Sequence, residues 1–438
     1  MPQLRVLLGF QQGQVYSLDS RPMIIGREPG SDIILDPESP ASRRHAEILC
    51  ESGEWTIRDL ESRNGTLING APVKHGALNH SDEILVGDSV FVFEYNDRLT
   101  AETEAAASRA MPREPLGLQN DPKTLELVRS VGEKMMRFER ELARLLGSQS
   151  GMIRDILIAI IADGHCLLFG LSDRAKTVVL NVIGSVLRLR VNRQRMRPDM
   201  SLADITGTDV KESPAHAPRL QPGPIFSQIF MAEDINRSSP DNLSALFSAM
   251  RERNIVLAER TWPVSDPFCV LITQDDPRWD TPFPMKPHYL DEIMFSLRAN
   301  PADSGSVLES IFEGIVTAAQ VVTLRALVKD FAIDESITRY AVRLTCATRP
   351  HNAGAPAAVN RCVETGAGPN AALSLLLAAK ARAILAGRLF ATTDDVRAVA
   401  AGVFRHRIAI NQRAIDDRKD EEYIVRKIID FVPTESEQ

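Results

Sequence analysis

Apolar and polar residues alternate along Trp55-Thr56-Ile57-Arg58-Asp59-Leu60, and the apolar runs Leu4 to Leu8 and Ile84 to Tyr95 are separated by Gly, Pro, Asn and Ser turns. That pattern predicts short strands and a β-sandwich over residues 1–97. Residues 98–118 are rich in Ala, Glu and Pro with no apolar period, which predicts a linker. From Pro122 to Leu146 the period becomes helical, with Leu127, Val131, Met135, Phe138 and Leu142 on one face and charges between them. Next, the apolar strand Cys166-Leu167-Leu168-Phe169 enters a polar loop, and Thr177-Val178-Val179-Leu180 opens a helix. Residues 119–304 therefore read as an α/β core with a leading helix. Residues 305–438 read mainly as helices, including Asn370 to Ala386 and Thr393 to Val403, and close on an acidic tail.

The loop after Phe169 carries the chemistry. It reads Gly170-Leu171-Ser172-Asp173-Arg174-Ala175-Lys176-Thr177, close to the phosphate-binding pattern G-x-x-x-x-G-K-[ST]. In that pattern backbone N–H groups form an anion nest, the lysine reaches the β- and γ-phosphates and the hydroxyl holds Mg²⁺. Gly170, Lys176 and Thr177 fill their places. Asp173 puts a carboxylate where glycine would let backbone meet phosphate, and Ala175 adds a Cβ at the tightest approach.

Further motifs follow in order: Asp204-Ile205-Thr206-Gly207, Gly223-Pro224-Ile225-Phe226, Ile229 to Arg237, and Phe268 to Gln274. With the loop and the preceding Gly164-His165-Cys166-Leu167-Leu168, this order resembles the MoxR family of AAA+ ATPases over about Gln149 to Ala409. The resemblance implies an α/β P-loop core, an all-α lid and ATP or ADP with Mg²⁺ as cofactor. Gly170, Asp173, Lys176 and Thr177 would then line the nucleotide. Thr177 and Glu233 would hold Mg²⁺ if nucleotide binds. The family works as homo- or hetero-hexameric rings and with von Willebrand A-domain partners.

The departures fall on the positions that perform hydrolysis. Where the family has Asp-Glu before Ile-Asn-Arg, this chain has Glu233-Asp234, and positioning errors of order 1 Å cost about 10²-fold in rate. Asp275 stands at the sensor Asn, as an acceptor-only anion facing the γ-phosphate. Glu292 stands at the arginine finger, a group worth roughly 10³–10⁵ in rate. Asn370 replaces the lid arginine. Together these predict slow or absent hydrolysis, with Arg237, Arg251, Arg253 and Arg278 near enough in sequence to substitute.

The first module has a complete motif set. Gly26-Arg27, Ser42-Arg43-Arg44-His45, Arg63-Asn64-Gly65-Thr66 and Asn69-Gly70 lie between its strands and together resemble the forkhead-associated (FHA) domain. Residues 1–97 hold 8 Lys and Arg against 15 Asp and Glu, so the module as a whole repels anions, yet four of its basic residues sit in these loops. Guanidinium forks and a hydroxyl suit a dianionic phosphate. By resemblance Arg27 and Ser42 hold a phosphothreonine, Arg43 assists, Asn64 fixes the peptide backbone, Arg63 sets sequence preference and His45 braces the loops. The implied partner is a phosphothreonine-containing protein. Thr100, Thr103 and Thr434, on segments read as unpacked, are candidate internal ligands.

Composition adds limits. Residues 98–438 balance at 43 basic against 43 acidic, which makes nucleic acid an unlikely partner. The exception is Arg188, Arg190, Arg193, Arg195 and Arg197, read as a strand facing solvent or a neighbour. Five dispersed cysteines predict reduced thiols and a cytoplasmic protein. The longest apolar run, Ile156 to Ala162, is too short to span a bilayer. Two functions stand: a phosphothreonine-reading adaptor on a catalytically impaired AAA+ scaffold, or an active ATP-driven remodelling chaperone recruited to phosphorylated clients.

Overall fold

A computed structural model describes residues 2–18, 21–51, 54–78, 82–95, 98–111, 117–146, 150–210, 219–257, 260–274, 285–299, 314–352 and 354–434. The chain divides into two compact units, residues 1–104 with 349–355, and residues 105–348 with 356–438.

The first unit is the expected sandwich. One sheet has six strands in the order Val15–Ser17, Pro2–Leu8, Ser89–Tyr95, Glu83–Val86, Thr66–Ile68 and Ala71–Val73; the other has five, Ile33–Ile34, Met23–Gly26, Ala46–Glu51, Glu54–Asp59 and His75–Ala77. Alternation decides which residues face inward, so Leu4, Val6, Ile25, Ile48, Ile57, Ile84, Phe91 and Phe93 form one core. Asn69 at φ 50° and Gly70 at φ 80° make the tight turn between Thr66–Ile68 and Ala71–Val73.

The second unit is built on a five-stranded parallel sheet ordered Val191–Arg195, Ile229–Glu233, Cys269–Thr273, Cys166–Phe169 and Phe295–Arg298. Ile229–Glu233 and Cys269–Thr273 are buried throughout, as strands covered on both faces must be. In such a sheet the loops beyond the carboxyl ends gather at one edge, where ligands of α/β folds bind. The lid comprises helices Ala318–Asp330, Glu335–Cys346, Asn370–Leu385, Thr393–Phe404 and Glu421–Phe431. Among the described residues no helix is long and apolar enough to cross a membrane.

Three expectations need correction. Residues 98–108 are not an irregular linker but a helix, Arg98–Ser108, with Ala106 and Ala107 buried. Alanine and glutamate are strong helix formers, a propensity that composition alone had masked. Second, Thr103 is fully buried with its Oγ1 2.7 Å from Arg349 Nη2, and Thr434 is 4% exposed, so neither is open to a kinase. Third, the helix expected to open at Thr177 begins four residues earlier, at Asp173.

Lys380 is wholly buried on Asn370–Leu385, where its Nζ donates to Ala110 O at 2.5 Å and lies 5.1 Å from the Phe331 ring centroid. Burial pulls its ammonium down to about 8, against the opposing pull of Asp330. An unfolded lysine titrates near 10.4, so between about 8 and 10.4 the unfolded chain binds more protons and stability rises with pH. Denaturant unfolding across that range should show a rise of up to about 3 kcal/mol that Lys380→Met removes; equal slopes in both proteins would contradict the assignment.

Candidate functional site

In the first unit, main-chain bonds gather the three loops. Arg27 N–H donates to Ser42 O at 3.2 Å and Glu28 N–H to Arg43 O at 3.0 Å. Gly26 makes this approach possible, because a Cβ there would stand 2.1 Å from Arg43 O. His45 is fully buried and spans two loops: its Nδ1 accepts from Ser42 N–H at 3.1 Å, and Nε2 lies 3.0 Å from Gly65 O, which assigns the proton to Nε2. Asp59 ties down the loop containing Arg63 by accepting from Ser62 and Thr66. Burial opposes its charge, but those hydrogen bonds outweigh it and hold the carboxyl below its usual range.

The predicted phosphopeptide residues meet on this frame. Ser42 Oγ accepts from Arg63 N–H at 3.1 Å, leaving its hydroxyl hydrogen to donate outward. Asn64 Nδ2 donates to Pro40 O at 2.8 Å, which leaves Oδ1 as an acceptor. Arg27 is half-buried, with Nη1 donating to Pro37 O at 2.9 Å. Arg43 and Arg63 are exposed, and neither side chain has a hydrogen bond or ion pair among the described residues. The arrangement is a preorganised rim of donors around a hydroxyl, suited to a phosphate dianion.

At the carboxyl edge of the parallel sheet the predicted nucleotide residues also converge, but on one another. Gly170, at φ 75°, leads into Ser172, which caps the helix Asp173–Leu187. Ser172 Oγ accepts from Ala175 N–H at 3.3 Å and Ser172 O accepts from Lys176 N–H at 2.9 Å. Two N–H groups that a phosphate nest requires are thus spent inside the helix. Lys176, 6% exposed, has its Nζ 3.3 Å from Asp173, 3.4 Å from Asp234 and 3.9 Å from Glu233.

Sequence reasoning missed two participants, and the reading of the arginine segment as outward-facing is corrected here. Arg195 Nη2 lies 2.9 and 3.0 Å from the two oxygens of Asp173, and its Nε 3.1 Å from Asp234 and 3.7 Å from Glu233. Arg193 Nη1 donates to Thr177 Oγ1 at 3.0 Å and lies 3.7 Å from Glu233. The Arg195 guanidinium foremost, then Lys176, holds the Asp173 carboxyl below its usual range. The sequence carried part of the signal, in that Arg193 and Arg195 share one face at period two; the register that pairs Arg195 with Glu233 belongs to the folded sheet. Thr177 and Glu233, the implied Mg²⁺ ligands, are bridged by Arg193 instead. As arranged, these residues do not fit a phosphate with its metal.

The remaining catalytic positions are committed elsewhere. Asp234 adopts a left-handed backbone, φ 56° and ψ 47°, with its N–H donating to Thr273 Oγ1 at 3.1 Å. Glu292 pairs with Arg251 at 2.8 Å, and Arg253 binds Asp163 at 2.7 Å, so neither arginine faces the loop's phosphate position. Asn370 Nδ2 donates to Asp291 at 2.8 Å, beside the buried Arg407. Asp275 and Arg278 lie outside the described residues. Among the described residues no group of three His, Cys, Asp or Glu is placed to hold a metal.

A β-sandwich bearing this loop rim, joined to a P-loop sheet of this strand order with a helical lid, defines an FHA domain combined with a AAA+ module. Comparison with known proteins agrees. The FHA domain family matches residues 23–87, the ATPase family associated with various cellular activities (AAA) matches 165–295, and the AAA lid domain matches 355–428. The chain is 26% identical to chaperone MoxR1 of Mycobacterium tuberculosis over 67% of this chain and 80% of that protein. It is 41% identical to the glycogen accumulation regulator GarA of Mycolicibacterium smegmatis over 20% of this chain and 56% of that protein. A crystal structure of a putative ATPase from Cytophaga hutchinsonii superposes with a TM-score of 0.61 at 27% identity, covering 70% of this chain and 97% of that one. The protein is a fusion of an FHA domain with a MoxR-type AAA+ module.

His45→Ala should destabilise the first unit by roughly 2–4 kcal/mol, since it removes two buried loop-bridging bonds and leaves a cavity. Chemical denaturation of protein in which Trp262 and Trp279 are replaced by Phe, leaving Trp55 as the fluorescent reporter, measures this; a loss below about 1 kcal/mol would show that the loops hold without it.

Proposed function

We propose that this protein is a phosphothreonine-reading adaptor whose AAA+ module serves as an assembly scaffold rather than as a hydrolytic motor. The observation that carries the reading is a contrast between its two sites. The FHA rim leaves Arg43 and Arg63 exposed without side-chain partners among the described residues and the Ser42 hydroxyl hydrogen uncommitted, whereas Lys176, Thr177, Glu233 and Asp234 are all engaged with neighbouring side chains. A client bearing phosphothreonine is the ligand. The AAA+ unit contributes a wedge that packs into a ring with its own copies or with active MoxR-type subunits. Glu292, in place of an arginine finger, adds no positive charge to a neighbour's site.

Isothermal titration with a phosphothreonine peptide and its unphosphorylated twin tests the first half. The phosphopeptide alone should bind, and Arg27→Ala or Ser42→Ala should each weaken it by about 1.5–3 kcal/mol, the worth of one charge-assisted hydrogen bond. Equal binding of both peptides would refute phosphate reading.

Phosphate release by the purified full-length protein tests the second half. ATP turnover should stay at background across a wide nucleotide range. Robust turnover that Lys176→Ala abolishes would establish a motor and overturn the scaffold reading.

A further inference from the structure

In a phosphate loop the lysine meets phosphate oxygens, while the next hydroxyl and an acidic residue at the end of a neighbouring strand serve Mg²⁺. Here each of those groups already has a partner of the appropriate charge from within the chain. Asp173 supplies an anion to Lys176 at 3.3 Å and to both oxygen contacts of Arg195. Arg193 supplies a cation to Thr177 Oγ1 at 3.0 Å, and Arg195 supplies one to Asp234 at 3.1 Å; both lie 3.7 Å from Glu233.

We propose that Asp173 together with Arg193 and Arg195 is an intramolecular substitute for a magnesium nucleotide, with a carboxylate making the phosphate's contacts and two guanidiniums making the metal's. This rests on the reading of the AAA+ unit as a non-hydrolysing scaffold and states what holds that scaffold in one form. Three cations face three carboxylates, so the cluster is neutral without any ligand. Glu233 and Asp234 are 4% and 7% exposed and Lys176 is 6% exposed. Buried charges at that depth require partners, because stripping a buried pair of one member is strongly destabilising. Arg195 also joins three segments in one side chain: the loop helix through Asp173, the strand Ile229–Glu233 through Glu233, and its own edge strand. In a nucleotide-driven machine the ligand makes that junction and breaks it at each cycle. Here the junction is made by the chain's own side chains, so the module needs no nucleotide to make it.

The proposal makes Asp173 and Arg195 the residues that exclude nucleotide, and the full-length protein tests this with a fluorescent ATP analogue plus Mg²⁺, monitored by anisotropy and by thermal melting. The wild type should show no saturable binding up to about millimolar nucleotide and no nucleotide-dependent melting shift. Asp173→Gly combined with Arg195→Ala should tighten binding by roughly 10- to 100-fold, the equivalent of one or two charge-assisted contacts regained, and should acquire a melting shift with nucleotide. Micromolar binding by the wild type would overturn the proposal, and so would a folded double variant that still ignores nucleotide. A thermal double-mutant cycle with Asp173→Asn and Arg195→Gln guards against a variant that does not fold. The single changes should couple, and strictly additive shifts would also overturn the idea. Binding without turnover would end this proposal and leave the scaffold reading intact, whereas turnover would end both.

Discussion

A lysine ammonium buried at the mouth of a parallel sheet has to be neutralised, and Lys176 sets that requirement for the whole AAA+ unit. Its position follows from the helix that leaves the strand Cys166–Phe169, and the sheet order then places the ends of Ile229–Glu233 and Cys269–Thr273 beside it. In a motor of this class the demand for counter-charge is met by a ligand. In this chain it is met by Asp173, Glu233 and Asp234, and the excess of acid is balanced in turn by Arg193 and Arg195. Isolated surface ion pairs contribute little. This cluster differs because its central members lie below the surface and share partners.

The FHA rim solves the reverse problem. Its donors are held in place by other groups: the main chain, the Asp59 hydrogen bonds, and His45 between Ser42 and Gly65. Gly26 is needed because the main chains of two loops approach too closely for any side chain. Ordering is completed on folding, and preordered groups lower the entropic cost of the proposed binding.

Core and lid of the second unit are joined by buried guanidiniums rather than by apolar packing alone. Arg407 donates to the carbonyls of Ile293, Met294 and Val403 and pairs with Asp291. Also at the amino end of the sheet, Arg325 donates to the carbonyls of Ile160 and Phe268 and pairs with Asp163. Burial holds the pKa of both arginines below the usual value, and their carboxylate partners only partly oppose it. Such planar, multiply bonded arginines fix orientation as well as distance, and they suit a unit whose proposed task is to keep its form.

Local pattern was enough for the sandwich, the helix Pro122–Leu146 and the helical lid, because period, turn chemistry and short motifs are properties of neighbouring residues. The convergence of the candidate FHA residues was legible for the same reason: each lies in a short loop whose motif is contiguous. The nucleotide loop was legible as altered, since Asp173 and Ala175 sit inside the motif itself. The side chains that pair with Lys176 and Thr177 from outside the loop were not. Arg193 and Arg195 lie 16 to 22 residues from Thr177 and Asp173, and nothing local tells which face of their strand turns to the loop. That depends on the register between two parallel strands, a relation between distant segments that only the folded sheet decides. The burial of Thr103 was hidden likewise, because composition records which residues a segment holds and tertiary packing determines what covers them.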